Sequence, residues 1–220
     1  LFKNAYTSGI FQFESNGMRS FLKSLEVDSF NTLVDAIALY MPGPRDNIDE
    51  YIKRKKGIKK VDYLVKELEP ILKSTYGIII YQEQVLEILR TIGGFSYSQA
   101  DNIRRAMSKK KYDLILKEKD KIINGVINKG YDKNVATKLY DLIVKFSSYG
   151  FNKSHSYAYS LVAYQMAYLK ANYPLYFYQS LLNSVIGSGI KTSQYIYECK
   201  RRNIVVNGCD INHSKAFYTI

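Results

Sequence analysis

Asp132-Lys-Asn-Val-Ala-Thr-Lys-Leu-Tyr-Asp-Leu-Ile-Val-Lys-Phe-Ser-Ser148 sets Val135, Leu139, Leu142 or Ile143, and Phe146 at steps of three and four. Side chains at that interval share one face of an α-helix, so the stretch predicts a helix with one apolar stripe from about Asp132 to Ser148. Upstream, Leu114, Ile115, Ile122, Ile123, Val126 and Ile127 repeat the pattern and predict a helix from about Tyr112 to Asn128, ending at Gly130. Downstream, Ser154 to Ala171 is apolar almost all round, which predicts a buried helix. Ser29 ahead of Phe30, Asp46 ahead of Ile48, and Ser96 or Ser98 ahead of Ala100 supply helix start signals. Strand candidates are few. Gly77-Ile-Ile-Ile-Tyr81 is either a short buried strand or the first turn of a helix continuing to Thr91; Ile204-Val-Val206 and the last five residues are the others. The expected fold class is therefore mainly α, a multi-helix domain with a few short strands. It runs from residue 1 to about 203, with the truncated start of a following segment at 204–220.

A chain of 220 residues with 46% hydrophobic content can bury a sizeable core, which excludes disordered and collagen-like classes. Its 32 Lys and Arg against 20 Asp and Glu leave a net charge of +12, which predicts a polyanionic partner. Two cysteines, Cys199 and Cys209, build no disulfide framework and fit no zinc spacing, so free thiols in a reducing compartment are expected. The longest apolar-rich stretch, Tyr157 to Leu169, falls short of the roughly 20 residues a membrane-spanning helix needs. The first residues carry no initiator Met and no signal-peptide pattern, and the sequence reads as the interior of something longer. With 24 Lys but 8 Arg, and 21 Tyr but no Trp, composition leans toward residues with A/T-rich codons. A single Lys or Tyr is accordingly weaker testimony than an Arg, and half of the arginines fall in the pairs Arg104-Arg105 and Arg201-Arg202.

Two segments have phosphate chemistry. On a helix from Asp101 to Lys111, Arg104, Ser108 and Lys111 share one row and Arg105 and Lys109 the next, giving a face of cations with one hydroxyl. Arginine's planar fork holds two phosphate oxygens at once, which lysine cannot do. A solvated charged face explains the same run without a ligand. The second segment, Tyr149-Gly-Phe-Asn-Lys-Ser-His-Ser156, joins two predicted helices, with Asn152 or Ser154 able to cap the second. A helix N-terminus exposes N–H donors, so Lys153 and His155 there would complete an anion site able to take a triphosphate. It is no Walker loop, because the first glycine of that pattern is missing, and an ordinary helix–helix turn fits the spacing equally. The rest of the chain is poor in catalytic patterns. Two distant histidines, His155 and His213, make a His-built metal site improbable, Asp46, Asp49 and Glu50 read as helix-start acids, and no nucleophile motif is present.

Five strings, in order, resemble the fingers region of bacterial DNA polymerase III alpha subunits, the C-family replicative polymerases. They are Gly9-Ile-Phe-Gln-Phe-Glu-Ser15, Met41-Pro-Gly-Pro44, Tyr76-Gly-Ile-Ile-Ile-Tyr-Gln-Glu-Gln-Val85, Ile103-Arg-Arg-Ala-Met107 with Lys109 to Lys111, and Tyr149 to Ser156. The likeness extends to about residue 212, where Asp210-Ile-Asn212 resembles a boundary motif altered here by Gly208-Cys209.

The resemblance implies part of a DNA-directed DNA polymerase, a nucleotidyltransferase in the bacterial cytoplasm, that extends a primer by phosphoryl transfer at two metal ions. Mg²⁺ would be held by palm aspartates outside this chain, which would contain no catalytic residue and no metal ligand and be inactive alone. Its partners would be the incoming dNTP, primed template DNA, the rest of the polymerase chain with its palm and thumb, and replicative holoenzyme subunits. Arg104, Arg105, Lys153 and His155 would bind the triphosphate, with Asn152, Ser154 and Phe151 beside them. Tyr81, Gln82, Glu83, Gln84, Lys109, Lys111 and Tyr149 are further pocket candidates. Two rivals remain: a non-enzymatic, sequence-independent DNA-binding module, and a stand-alone nucleotide-binding protein.

Overall fold

A computed structural model of the chain describes residues 1–41, 44–109, 111–147 and 150–220, with only the backbone of Tyr112. In chain order the helices are α1 (Asn16–Leu25), α2 (Phe30–Leu39), α3 (Ile48–Lys55), α4 (Glu69–Leu72), α5 (Gln82–Thr91), α6 (Tyr97–Ser108), α7 (Tyr112–Lys117), α8 (Lys119–Asn128), α9 (Lys133–Ser147), α10 (Lys153–Asn172), α11 (Pro174–Ser184) and α12 (Gly189–Arg201). Mainly α is thus the observed class. The strand candidates do not pair into a sheet among the described residues. Residues 78–80 form no strand and lead through an extended Tyr81 straight into α5, and the one β-type pairing there is an isolated parallel bridge between Tyr81 and Phe151.

The chain divides into two compact units, a central one (Ser29–Tyr157) and a terminal one (Leu1–Asp28 with Ala158–Ile220). In the central unit Ser29 caps α2 by accepting the Thr32 N–H at 3.2 Å, and Ser96 caps α6 in a reciprocal pair with Gln99. The core joins α5, α6, α8 and α9 through Val85, Ile88, Leu89, Ile103, Ile122, Val126, Leu139, Ile143 and Phe146. Each such burial stabilises by roughly 1.5–3 kcal/mol over an exposed side chain. The open choice within α9 resolves to Ile143, fully buried, while Leu142 is 45% exposed. The helix expected over Tyr112 to Asn128 is instead two, broken at Glu118. Ile115 and Ile122 are buried on either side of the break while Leu114 is exposed, so no single stripe runs through both.

α10 corrects a second expectation. Its buried positions, Ser156, Ser160, Ala163, Ala167 and Lys170, form a seam only one residue wide. Leu161, Val162, Tyr164, Tyr168 and Leu169 flank it and are exposed. Apolar composition told what the helix is able to bury and not which side is covered.

The terminal unit is built around a buried charge. Lys170, fully enclosed, donates to the carbonyls of Tyr6 at 3.1 Å and Ser8 at 2.7 Å and to Glu198 at 3.3 Å. It thereby stitches the N-terminal loop to α10 and α12. Tyr195 fixes the same loop by donating to the Glu14 carboxylate at 2.9 Å, and Gly9 is in the left-handed region where a Cβ would run into Leu181. Phe177, Tyr178, Leu182, Tyr195 and Cys199 complete the core, and Ile204, Val206 and Tyr218 pack against it. Cys199 and Cys209 are free thiols.

Burial, opposed by the Glu198 carboxylate, lowers the Lys170 pKa to about 8. The unfolded chain, with a Lys pKa near 10.4, binds this proton more tightly than the folded one, so this group's contribution to stability rises with pH between about 8 and 10.4 and is lost as pH falls through 8. Denaturant unfolding of the protein at steps across that window is expected to give this rise. Lys170→Met, less stable at every pH, is expected to lack it.

Candidate functional site

The first turn of α5 is a junction. Ile78 to Ile80 lead into it without helix or strand, and the Gln84 side chain closes the corner by accepting the N–H groups of Ile80 at 2.8 Å and Tyr81 at 3.0 Å while donating to Thr75 Oγ1 at 2.7 Å. Gln84 is therefore a buried structural cap. Gln82 faces the other way and uses each of its polar groups on another segment. Its N–H donates to Phe151 O at 3.0 Å, its Nε2 donates to Gly150 O at 2.8 Å, and its Oε1 accepts from Ser108 Oγ at 2.8 Å. Glu83 completes the junction, accepting from Asn152 Nδ2 at 3.0 Å and from the Lys153 N–H at 3.2 and 3.1 Å.

These bonds bring the two basic segments together: Ser108 is the last residue of α6, and 150–153 is the entry to α10. Arg104 lies one turn before Ser108, whose hydroxyl also bonds the Arg104 carbonyl at 3.2 Å. Both arginines are held by Asp101, Arg104 Nε at 2.8 Å and Arg105 Nε at 2.6 Å, and the Arg104 bond, then Arg105, keeps the Asp101 carboxyl below its ordinary pKa. Arg105 is the more open of the two, its side chain 67% exposed against 25% for Arg104. Lys109 and Lys111 are exposed beyond the end of α6. At α10, Phe151 and His155 meet edge to face at 5.4 Å, Ser154 is exposed, and Lys153 Nζ stands over the Tyr81 ring at 5.5 Å from its centre. Tyr149, Lys110 and the Pro42-Gly43 part of the second family string lie outside the described residues.

Beneath this surface lies a network that sequence reasoning missed. Asp35, on α2, accepts hydrogen bonds from the hydroxyls of Tyr51 and Tyr81, and Ser156 of α10 donates to the Val34 carbonyl. Burial raises the Asp35 pKa, against the two tyrosines and the Lys153 charge, and burial likewise pushes both tyrosine hydroxyls far up. A single carboxylate inside Leu33-Val34-Asp35-Ala36-Ile37 was the available signal, since a charge is rarely placed in so apolar a run without partners.

The expected anion site at the α10 N-terminus is altered in one respect. Asn152 is the cap, accepting the His155 N–H at 2.9 Å, and Glu83 takes the Lys153 N–H. The place at the positive helix end that an anion would fill holds a carboxylate of the chain itself. Among the described residues no group of three His, Cys, Asp or Glu side chains converges as a metal site, and no helix is long and apolar enough to cross a membrane.

Fold and site together define a helical domain with basic side chains gathered about one Gln-Glu junction. Residues 1–130 match the bacterial DNA polymerase III alpha subunit finger domain. Over 218 residues the chain is 47% identical to the DNA polymerase III subunit alpha of Staphylococcus epidermidis, covering 99% of this chain and 20% of that protein. It is also 47% identical over 212 residues to the DNA polymerase III subunit alpha of Staphylococcus aureus strains Mu50 and N315, covering 96% of this chain and 20% of each. The chain belongs to the DNA polymerase III alpha finger-domain family. It spans about a fifth of the length of the curated relatives it matches.

Glycine at 150 fits a close approach: a Cβ there would lie tight, 3.0 Å from Gln82 Cγ and 3.3 Å from Phe146 Cε1. Gly150→Ala is expected to destabilise by about 1–3 kcal/mol through this overpacking. A lowered urea midpoint at unchanged m-value would be the sign, and an unchanged midpoint would show that the junction gives way freely.

Proposed function

We propose that this chain acts, within a full-length replicative DNA polymerase, as the part of the fingers that receives the incoming deoxynucleoside triphosphate beside the nascent base pair. The observation that carries this reading is the Gln82 side chain, which ties the arginine helix α6 to the Phe151–His155 entry of α10. Without that tie, the two basic segments would be separate charged surfaces.

A nucleoside triphosphate brings several negative charges next to a template–primer that is already a polyanion. Fixed cations offset that repulsion and the charge that develops on departing pyrophosphate. Arg104 and Arg105 suit this role because Asp101 orients both guanidinium groups through their Nε atoms, and the Arg105 side chain stays 67% exposed. Lys153 and His155 supply cation and hydrogen-bond donors from the first turn of α10, and Phe151, packed on His155, presents an apolar surface suited to base or ribose. Asn152 orients His155 through its N–H, Ser154 adds an exposed hydroxyl, and Lys109 and Lys111 extend the positive surface toward DNA. Mg²⁺, primed DNA, the rest of the polymerase chain and holoenzyme subunits are the partners this role requires, with the metal held outside this chain in the bacterial cytoplasm.

The test is steady-state incorporation on a primed template by the full-length enzyme. Arg105→Ala and Lys153→Ala should each lower kcat/KM for dNTP by a factor worth roughly 1.5–3 kcal/mol, the usual contribution of a hydrogen bond to a charged group, while leaving the fold intact. Near-normal kcat and KM for both would reject the reading. A DNA-binding module without nucleotide binding would instead lose affinity for primed duplex in both variants, steeply with salt, at unchanged dNTP kinetics.

A further inference from the structure

Glu83 sits in the first turn of α5, yet its carboxylate serves residues 69 and 70 positions away. It accepts from the Asn152 side chain and twice from the Lys153 backbone, which places one negative charge at the positive ends of α5 and α10 together. The consequence falls on Lys153. Its backbone is pinned by Glu83, its ammonium stands over the Tyr81 ring, and Tyr81 is itself held by Asp35 and by its bridge to Phe151. Lys153 is thus held at its backbone and at its ammonium by groups of the chain itself. His155 is oriented by the same turn, through Asn152.

We propose that Glu83 is a positioning residue for the incoming nucleotide: by capping α10 with a carboxylate of the chain itself, it fixes the turn that presents Lys153, so that the triphosphate meets side-chain cations and not the helix amides. This rests on the assignment of Lys153 to triphosphate binding. The geometry also admits an opposite role, in which Glu83 holds the place of a phosphate and must leave when the nucleotide enters. Three bonds to two residues, made from the rigid first turn of a core helix, favour the fixed cap.

The experiment compares Glu83→Ala, Glu83→Gln, Lys153→Ala and the Glu83→Ala/Lys153→Ala double variant of the full-length polymerase in single-nucleotide incorporation, with primed-DNA affinity measured beside it. Glu83→Ala should raise the KM for dNTP about tenfold or more, with a smaller change in kcat and none in primed-DNA affinity. Glu83→Gln, nearly isosteric and still carrying an acceptor oxygen, should recover much of the loss. In the Lys153→Ala background the same Glu83→Ala change should cost several-fold less, because most of its effect passes through Lys153 and only the part carried by Asn152 and His155 remains. The proposal is overturned by an unchanged KM, by a lowered KM, which marks the displaced placeholder, by an equal cost in both backgrounds, or by a parallel loss of DNA affinity. Near-normal dNTP kinetics in Lys153→Ala would instead reject the nucleotide reading beneath it, and so the two failures are told apart.

Discussion

Gln82 makes three hydrogen bonds to residues 26, 68 and 69 positions away, and the arrangement of the basic surface depends on them. Gln82 is 4% exposed, so each of its polar groups must find a partner inside the protein or cost about 1–3 kcal/mol of unpaid desolvation. That requirement is what gives the junction its specificity. A glutamine at 82 with all groups satisfied fixes the relative placement of Ser108 and the Gly150-Phe151 turn, and its stem leaves little room for a Cβ at 150.

The adjacent residues divide the work by the alternation of a helix start. Tyr81 ends the extended entry and reaches down to Asp35, Gln82 reaches toward α6, Glu83 toward α10, and Gln84 back to the corner it caps. Four consecutive side chains thus point to four different segments. Helical geometry turns the chain by about 100° per residue, which is how so short a stretch serves all of them. The buried acid Asp35 is the deepest of these anchors, and two tyrosine hydroxyls with the nearby Lys153 charge are what make its burial tolerable.

Much of this was legible in the sequence, and the rest was not for definite reasons. Periodicity marked α9 closely because a single stripe of Leu139, Ile143 and Phe146 is what the core takes from it. It misled for α10, where apolar residues occur on every side and period carries no information about which side is covered. The Ile78–Ile80 run read equally as strand or helix; Gln84, six residues beyond Ile78 and far less conspicuous, decides the matter by capping the corner. Arg104, Arg105, Lys153 and His155 were visible as phosphate-binding types, and their gathering near one junction was not, since the bonds that gather them pass through a glutamine and a glutamate whose neutral or acidic chemistry gives no hint of a basic site. Asp101 was the more readable omission, because an acid three and four residues before two arginines pairs with both on any helix.

Charge counted along the chain also changes meaning once it is placed in space. Residues 101–133 and 142–220 carry local surpluses of +5 and +6, together 11 of the net +12. Some of the cations in those stretches are spent internally: Lys170 is sealed inside the terminal unit on two carbonyls and Glu198, and Arg202 leans on the same carboxylate at 3.4 Å. The pair at 104 and 105 differs, because Asp101 engages each guanidinium through Nε, one of its five donors. An acid beside a cation therefore has two opposite effects in this chain. Where the pair is buried, the charge is consumed in holding the fold; where the guanidinium stays open, as at Arg105 with its side chain 67% exposed, the acid orients the charge and leaves it at the surface.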